Sequence, residues 1–133
     1  MPSYIETATE IAREAGGVLL QYLEKRPDFE VKGEQDLVTD ADRAAEALVL
    51  EQLRNHFPSH TVIAEESGLH DRHSEYCWYV DPLDGTTNFA HSYPAFCVSI
   101  GLAHAGELIA GVVFDPVRNE MFSAEKGAGA YLN

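Results

Sequence analysis

The sequence predicts an α+β fold, a layered α/β sandwich in which N-terminal helices precede a largely antiparallel sheet. Three observations lead to this class. Apolar residues recur at helical spacing before Pro58, and β-branched or aromatic runs alternate with turn residues after it. The composition of the 133 residues, 45% hydrophobic and 23% charged, is that of a globular protein. We therefore expect residues 1–133 to form one N-terminal α+β domain.

The first predicted helix runs from Ser3 to about Glu24. Its apolar residues recur every three or four positions, which places them on one face. Ser3 and Glu6 have the spacing of a capping box, in which both side chains bind backbone N–H groups of the first turn. The next segment, Lys25 to Gln35, is polar, contains proline and glycine, and is predicted to be a loop.

A second helix is predicted to begin near Thr39 or Asp40, because a short oxygen-bearing side chain can cap the first turn. It is expected to end near His56, before Pro58. The apolar positions of this helix supply the face that should pack on the core. These positions are Ala44, Ala47, Leu48, Leu50 and Leu53.

Strands are predicted after the second helix. Thr61 to Ala64 and Tyr76 to Val80 are rich in β-branched or aromatic residues and are each followed by a carboxylate. A polar loop from Ser67 to Glu75 separates them. Further along, the sequence predicts an antiparallel meander joined by tight turns that contain Gly, Pro or Asn. Its strands are predicted at Phe96–His104, Leu108–Phe114, Glu120–Ala124 and Ala128–Leu132.

The charge balance restricts the partners that the chain can bind. With 9 Lys and Arg against 22 Asp and Glu, the formal net charge is −13. This charge repels phosphate backbones and anionic lipids, so direct binding to nucleic acid or to a membrane is disfavoured, whereas divalent cations are attracted. Glu6 and Glu10 stand where a signal peptide needs basic residues, and no apolar stretch has the length of a membrane span. We expect a cytoplasmic protein.

The cysteines and histidines give weak signals. Cys77 and Cys97 are flanked by apolar or aromatic residues and lack metal-ligand spacing. Two buried thiols in a reducing compartment are predicted, with a disulfide as the alternative that the sequence leaves open. His70 and His73 flank Asp71 in the polar loop, where a surface loop is favoured over a zinc site.

The strongest chemical signal is the segment Asp81–Asn88, which follows a predicted strand directly. Asp-Pro and Asp-Gly are turn formers, so a turn without chemistry is the alternative. The proline stiffens this turn, so the carboxylates of Asp81 and Asp84 would be held in a fixed relation. Mg²⁺ prefers such oxygen ligands, and a backbone carbonyl between them can add another. Gly85 and Thr86 then open a predicted helix, whose free N–H groups can hold a phosphate oxygen.

Two further acidic segments are ambiguous when taken alone. Glu65 and Glu66 follow the first predicted strand and are typical of a solvated loop. If the two strands are parallel neighbours, Glu65 comes close to Asp81, and crowded carboxylates repel one another unless cations lie among them. Asp36 to Asp42 is typical of a helix N-cap whose acidic residues complement the helix dipole. Asp42 would then lie inside the first turn, where it can orient a neighbouring hydroxyl.

Together, these three segments resemble the inositol monophosphatase family. Asp81 to Phe89 matches its DPxDGTTNF segment, Glu65 to Ser67 matches its EES segment, and Asp36 to Asp42 matches its DLVTxxD segment. The order and approximate spacing agree, and the resemblance covers nearly the whole chain. It implies a layered α/β sandwich, usually dimeric, that hydrolyses small phosphate monoesters with Mg²⁺ and is inhibited by Li⁺.

The resemblance also implies metal ligands. Glu65, Asp81 and the backbone carbonyl of Leu83 would hold one Mg²⁺ ion. Asp81 and Asp84 would contribute to a second. A metal lowers the pKa of bound water, and a pair of metals can stabilise both the attacking and the leaving oxygen, so this ligand set suits hydrolysis of a phosphate ester.

Catalytic and substrate-binding roles are implied in the same way. Thr86, hydrogen-bonded to Asp42, would act with Glu65 to position and activate the attacking water. The N–H groups of Gly85 and Thr86 would hold the phosphate. Lys32 resembles a lysine in the family's mobile loop and would also contact the substrate.

One family feature is absent from the sequence. The family's later Trp-Asp segment supplies a further carboxylate to the second metal, but the single tryptophan here, Trp78, precedes Asp81. We therefore expect the N-terminal half of a family member, without its C-terminal domain, that is weakly active or inactive alone. The complete protein is expected to be a homodimer acting on a small phosphorylated substrate. Inositol monophosphate is favoured, other small phosphate esters remain open, and the alternative is a non-catalytic interaction protein that keeps the scaffold.

Overall fold

The computed structural model describes residues 3–24 and 34–133, apart from the side chains of residues 34–37. Within these ranges, two long helices precede the strands, as the sequence predicts, and no helix has the length and apolarity needed to cross a membrane. The elements are α1 (Tyr4–Glu24), α2 (Glu34–His56), β1 (Thr61–Ala64), β2 (Gly68–His70), β3 (Tyr76–Asp84), α3 (Thr86–Ala90), β4 (Cys97–His104), β5 (Glu107–Asp115), β6 (Glu120–Glu125) and β7 (Gly129–Leu132).

The described strands form one seven-stranded sheet in the order β2-β1-β3-β4-β5-β6-β7. Strands β1 and β3 are parallel neighbours, with Ala64 opposite Val80, and the other described pairings are antiparallel. The two long helices contact the sheet, α1 across β4, β5 and β6 and α2 on β3. The predicted α+β class, with N-terminal helices and a largely antiparallel sheet, is confirmed.

Helix α1 matches its prediction, and one half of the expected capping box is formed, since the Glu6 N–H donates to Ser3 Oγ at 3.2 Å. The helix lies close against β5. A Cβ added to Gly16 would stand 2.5 Å from Cε2 of Phe114, so only glycine permits this approach. Arg13 adds a distant contact, because its guanidinium lies over the Phe114 ring and donates to Asn119 Oδ1 at 3.0 Å.

Helix α2 begins earlier than predicted. It begins at Glu34, so Thr39 and Asp40 lie in its second turn and do not cap its first, and Asp42 lies two turns from the start. Glutamate and glutamine are good helix formers, which favours extension through Glu34 and Gln35, both predicted as loop. The rest of that predicted loop, residues 25–33, lies outside the described residues. The buried apolar face also differs from the predicted one and consists of Ala41, Ala45, Val49 and Leu53.

The strand predictions hold, with two corrections. A three-residue strand, β2, forms inside the predicted Ser67–Glu75 loop and pairs with β1. Strand β3 does not stop at Val80 but continues to Asp84, with a register shift against β4 after Asp81. The β4–β5 hairpin turns at Ala105 and Gly106, both with positive φ, as the predicted tight turn requires.

The two faces of the sheet differ in how they are covered. The face under the helices carries the core, with Trp78, Ile100 and Val112 buried against α1 and α2. Partly exposed side chains from the strands between β1 and β7 mark the opposite face. They are Ile63, Tyr79, Val113, Phe122 and Leu132. The helices therefore cover one side of this sheet.

Candidate active site

The parallel pair β1 and β3 brings the acidic segments together. The backbone N–H of Glu65 donates to the carbonyl of Val80 at 3.2 Å, which continues the ladder one step beyond Ala64 and places Glu65 beside Asp81. This is the parallel arrangement on which the predicted approach of Glu65 to Asp81 depended. The carboxyl ends of parallel strands are a usual place for a ligand site, because side chains from two strands meet there.

Glu65 and Asp81 interact closely. A hydrogen bond with Asp81, then partial burial and the charges of Asp81, Asp42 and Glu66, raise the pKa of Glu65 to about 7. Two negative charges this close repel each other, which disfavours the charged form of Glu65. The Oδ1 atom of Asp81 is buried and has no hydrogen-bond partner in the described part of the chain. No positively charged side chain of the described residues is among the groups that shift the pKa of Glu65.

Asp42 joins this group from helix α2. Its side chain is 4% exposed, and burial, followed by the charge and hydrogen bond of Glu66, raises its pKa to about 7. Its Oδ1 atom is likewise buried and without a partner among the described residues. The contact implied by the resemblance, from Asp42 to Thr86, is not among the hydrogen bonds of the described residues, where Asp42 pairs with Glu66.

Glu46 belongs to the site and was missed by the sequence reasoning. It is buried, and its two carboxylate oxygens accept hydrogen bonds from the backbone N–H groups of Glu66 and Ser67, both at 2.9 Å. The available signal was its spacing. Glu46 lies four residues after Asp42, on the same helix face as the buried Ala45, and an acidic pair on an apolar face needs buried partners.

The end of β3 carries the other predicted ligands. Leu83 is buried, whereas the side chain of Asp84 is exposed. The Cys97 thiol on β4 lies 3.9 Å from Asp84 Oδ2, and burial, then the charge of Asp84, raises the pKa of that thiol to about 11. Cys77 and Cys97 are both free, so the disulfide alternative is not realised.

A tight turn leads from β3 into α3. Gly85 has φ +94°, and an added Cβ would lie 2.9 Å from the carbonyl oxygen of Ala95, so both the conformation and the space require glycine. Asn88 Nδ2 donates to the same carbonyl at 2.8 Å and ties the short helix to the chain that follows it. Thr86, the first residue of α3, is exposed.

The residues fit a cation only in part. In residues 3–24 and 34–133, no three His, Cys, Asp or Glu side chains converge closely enough to hold a metal ion as they stand. Glu65 and Asp81 do converge, and the unpartnered Oδ1 of Asp81 and the raised pKa of Glu65 are the signs expected where a positive charge is missing. Lys32 lies outside the described residues.

The histidines of the β2 region make surface contacts. His70 Nε2 lies 2.7 Å from Ser67 Oγ, and His73 Nδ1 lies 3.6 Å from Asp71 Oδ2 at an exposed position. Each of these contacts joins one histidine to one other side chain.

Comparison with known proteins gives consistent matches along the whole chain. The sequence matches the inositol monophosphatase family over residues 1–133. An inositol-1-monophosphatase of Synechocystis sp. is 47% identical, covering 100% of this chain and 47% of that protein. A Nus factor SuhB of Pasteurella multocida is 43% identical, covering 100% of this chain and 51% of that protein. The structure of an inositol monophosphatase from Anabaena superposes with a TM-score of 0.84 at 50% identity, over 98% of this chain and 46% of that one. The chain therefore spans about half the length of the relatives it matches.

Proposed function

The chain belongs to the inositol monophosphatase family, and we propose that it supplies the metal-binding half of a Mg²⁺-dependent enzyme that hydrolyses a small phosphate monoester. Inositol monophosphate is the substrate to test first. The observation that carries the proposal is the meeting of Glu65 and Asp81 at the ends of β1 and β3, with a buried, unpartnered oxygen on Asp81. A cytoplasmic location, a homodimer and inhibition by Li⁺ are proposed for the complete protein on the family resemblance.

Four groups would hold Mg²⁺. Glu65, Asp81 and the backbone carbonyl of Leu83 would bind one ion, and Asp81 with Asp84 would contribute to another. Two carboxylates leave most of a six-oxygen shell to water, which Mg²⁺ accepts readily. When bound, Mg²⁺ would lower the pKa of a water molecule and would supply positive charge that offsets the negative charge of the phosphate.

The remaining site residues would act on water and phosphate. Thr86 would orient the attacking water, with Glu65 accepting its proton and Asp42 holding the Thr86 hydroxyl. Support for Glu65 as the base comes from its position beside Asp81 at the end of β1, where its carboxylate can reach a water bound to the same metal. The N–H groups of Gly85 and Thr86, at the start of α3, would donate to a phosphate oxygen.

Calorimetric titration with Mg²⁺ tests the proposal. The wild-type chain should bind Mg²⁺, and Asp81→Asn should bind it at least tenfold more weakly, because one charged oxygen ligand is removed while the shape is kept. Glu75→Gln is the matched control, since Glu75 is an exposed carboxylate beyond the opposite end of β3 and should not affect binding. Equal Mg²⁺ affinity in wild type and Asp81→Asn would contradict the ligand assignment.

Thr86→Ala separates positioning of water from binding, in a protein that extends this chain to the length of its relatives. The change removes a hydroxyl and leaves the metal ligands and backbone donors in place. We expect kcat to fall by roughly 10²-fold with little change in KM. Thr87→Ala, at the neighbouring exposed position, is the control and should keep its kcat. A near-normal kcat in Thr86→Ala would leave Thr86 with a structural role.

The isolated chain should itself be a poor phosphatase. It supplies two carboxylates, Asp81 and Asp84, to the second metal, and nothing described in it fixes the substrate's leaving group, for which a misplacement of about 1 Å can cost about 10²-fold in rate. Assay of the 133-residue chain and of the longer protein with inositol monophosphate and Mg²⁺ checks this expectation. Comparable turnover in the two would show that the chain carries a complete site.

A second candidate function, a non-catalytic interaction role, is supported by relatives named as Nus factors, such as the one that is 43% identical. The Asp81→Asn variant distinguishes the two candidates. A catalytic role predicts that cells depending on the protein fail with this variant, whereas a scaffold role predicts that the folded but metal-deficient protein suffices.

A further inference from the structure

Glu46 is the most deeply buried carboxylate of the site besides Asp42, and it faces the chain just after β1. Its carboxylate accepts hydrogen bonds from the two backbone N–H groups that follow Glu65, those of Glu66 and Ser67, at 2.9 Å each. Its contacts span 20 and 21 residues of sequence, so they join helix α2 to the strand ends rather than stabilising a local turn.

We propose that Glu46 is a positioning residue for the active site, which holds the chain after β1 so that Glu65 stays beside Asp81. The backbone of Glu65 is then fixed on both sides. Its own N–H is bound by the Val80 carbonyl at 3.2 Å, and the next two N–H groups are bound by Glu46. The proposal deepens the proposed function and rests on it for any effect on catalysis.

The chemistry of the contact requires a carboxylate. Two parallel N–H groups need two acceptor oxygens side by side, and charge-assisted bonds of this kind are roughly twice as strong as neutral ones. A glutamine at this position would present one acceptor and one amide NH₂ group, and the latter would oppose a backbone donor. Glu46→Gln therefore keeps the size of the side chain and breaks half of the contact.

The location of Glu46 argues against a purely stabilising role. Its charge adds to the repulsion around the nearby Asp42, and a buried carboxylate in a chain of net charge −13 is unfavourable unless it is well bonded. An apolar side chain at this position would leave the N–H groups of Glu66 and Ser67 without these acceptors. The acidic side chain gives order to one short segment, the one that carries Glu65.

Helix α2 thus holds two parts of the site through one face. Asp42 and Glu46 are four residues apart, so their side chains lie one above the other on the helix. Asp42 lies within electrostatic reach of Asp81, while Glu46 holds the chain that presents Glu65. A small shift of α2 would therefore move the chain that presents Glu65 and change the negative charge near Asp81.

The test combines amide hydrogen exchange and Mg²⁺ titration of the 133-residue chain. In the wild type, the N–H groups of Glu66 and Ser67 should be protected. In Glu46→Gln, the N–H that faces the amide NH₂ group should exchange at least tenfold faster, and Mg²⁺ affinity should fall by about tenfold under conditions where the variant stays folded. The matched control is Glu51→Gln on an exposed position of the same helix, and Glu46→Asp, which keeps the carboxylate, should restore part of the affinity.

The outcomes test the positioning role of Glu46 and the proposed function separately. Unprotected N–H groups at Glu66 and Ser67 in the wild type would overturn the positioning role without any variant, even if Glu46→Gln fails to fold. Mg²⁺ affinity unchanged in a folded Glu46→Gln would overturn it as well. A wild type that protects these N–H groups but binds no Mg²⁺ would support the contact and refute the proposed function.

Discussion

Strands β1 and β3 run parallel, and their two ends differ in how completely the polar atoms are satisfied. At the amino end lies an aromatic cluster of Tyr4, Phe57, His60, Tyr76 and Trp78. The Trp78 indole N–H donates to His60 Nδ1 at 3.0 Å, and the His60 ring stacks on Phe57 at 5.0 Å and on Tyr76 at 4.7 Å between ring centroids. The indole N–H and His60 Nδ1 are therefore paired, and the rings of the cluster are packed.

At the carboxyl end lies an acidic cluster of Asp42, Glu46, Glu65, Glu66 and Asp81. It contains the two buried side-chain oxygens of the described residues that lack a partner, and no basic side chain of those residues is among the groups that shift the pKa of Asp42 or Glu65. One end of the strand pair thus has hydrogen-bonded and stacked side chains, whereas the other end keeps buried oxygens without partners among the described residues. Unfavourable interactions retained inside a stable fold are a usual mark of function.

The largest expected effect concerns the aromatic cluster. Trp78 is fully buried, so Trp78→Ala removes packing and leaves His60 Nδ1 without its donor. We expect the free energy of unfolding to fall by about 3–5 kcal/mol, measured by urea denaturation. Tyr79→Ala, next in sequence and 48% exposed on the open face, is the control and should cost about 1 kcal/mol or less. An equal loss of unfolding free energy in the two variants would show that the aromatic cluster has no special stabilising role.

A smaller effect compares single polar atoms at the two ends. Trp78→Phe keeps an aromatic ring but removes the N–H donor from the half-buried His60, and should cost about 1–3 kcal/mol. Asp81→Asn removes a charge from the acidic cluster and should leave the metal-free chain as stable as the wild type, or more so, because repulsion is relieved. Denaturation in Mg²⁺-free buffer measures both. A large loss in Asp81→Asn would show that the acidic cluster is not under repulsion.

The last comparison is the dependence of stability on pH, which has opposite signs at the two ends. The folded pKa of Asp42 and of Glu65 is about 7, above the ordinary values of 3.8 and 4.5, so the folded chain binds the extra protons. Their contribution is fully present below the ordinary values and is lost as pH rises through about 7. Because Glu65 is exposed, solvent screening reduces its share.

His60 has the opposite sign. Burial lowers its pKa below the ordinary 6.5, so the unfolded chain binds the proton better, and stability is lost as pH falls below about 6.5. Unfolding midpoints from pH 5 to 8 without Mg²⁺ should fall less steeply on the alkaline side in Asp42→Asn, and less steeply on the acidic side in His60→Gln. Unchanged profiles in both variants would contradict the assignment of these groups.

The sequence reveals those parts of the molecule that depend on local patterns. The β4–β5 hairpin follows from alternating residues around Ala105 and Gly106, and helix α1 follows from its periodicity. The start of α2 does not, because Thr39 and Asp40 can cap a helix wherever one begins, and the residues before them extend the helix. Strand β2 was missed because three residues carry little periodicity and pair only through a neighbour.

The candidate site shows the same limit. The approach of Glu65 to Asp81 could be predicted from the sequence because each residue lies near the end of a predicted strand. The prediction needs only the assumption that the two strands are parallel neighbours. Glu46 could not be found in this way. Its partners are backbone N–H groups 20 residues away, which leave no mark on the sequence, and its face of the helix was assigned to Ala44 and Ala47 instead of to Ala41 and Ala45.

The close fit of α1 on β5 has a consequence for the order of folding. Arg13 contacts Asn119, 106 residues later, so α1 leaves the ribosome long before its docking surface exists. At about 5–20 residues per second, the interval is roughly 5–20 s. During that time the apolar face of α1 is exposed and available to chaperones, and final docking waits for the meander. Contacts of such high sequence separation slow folding, so α1, although it is synthesised before the meander, should be among the last segments to be protected.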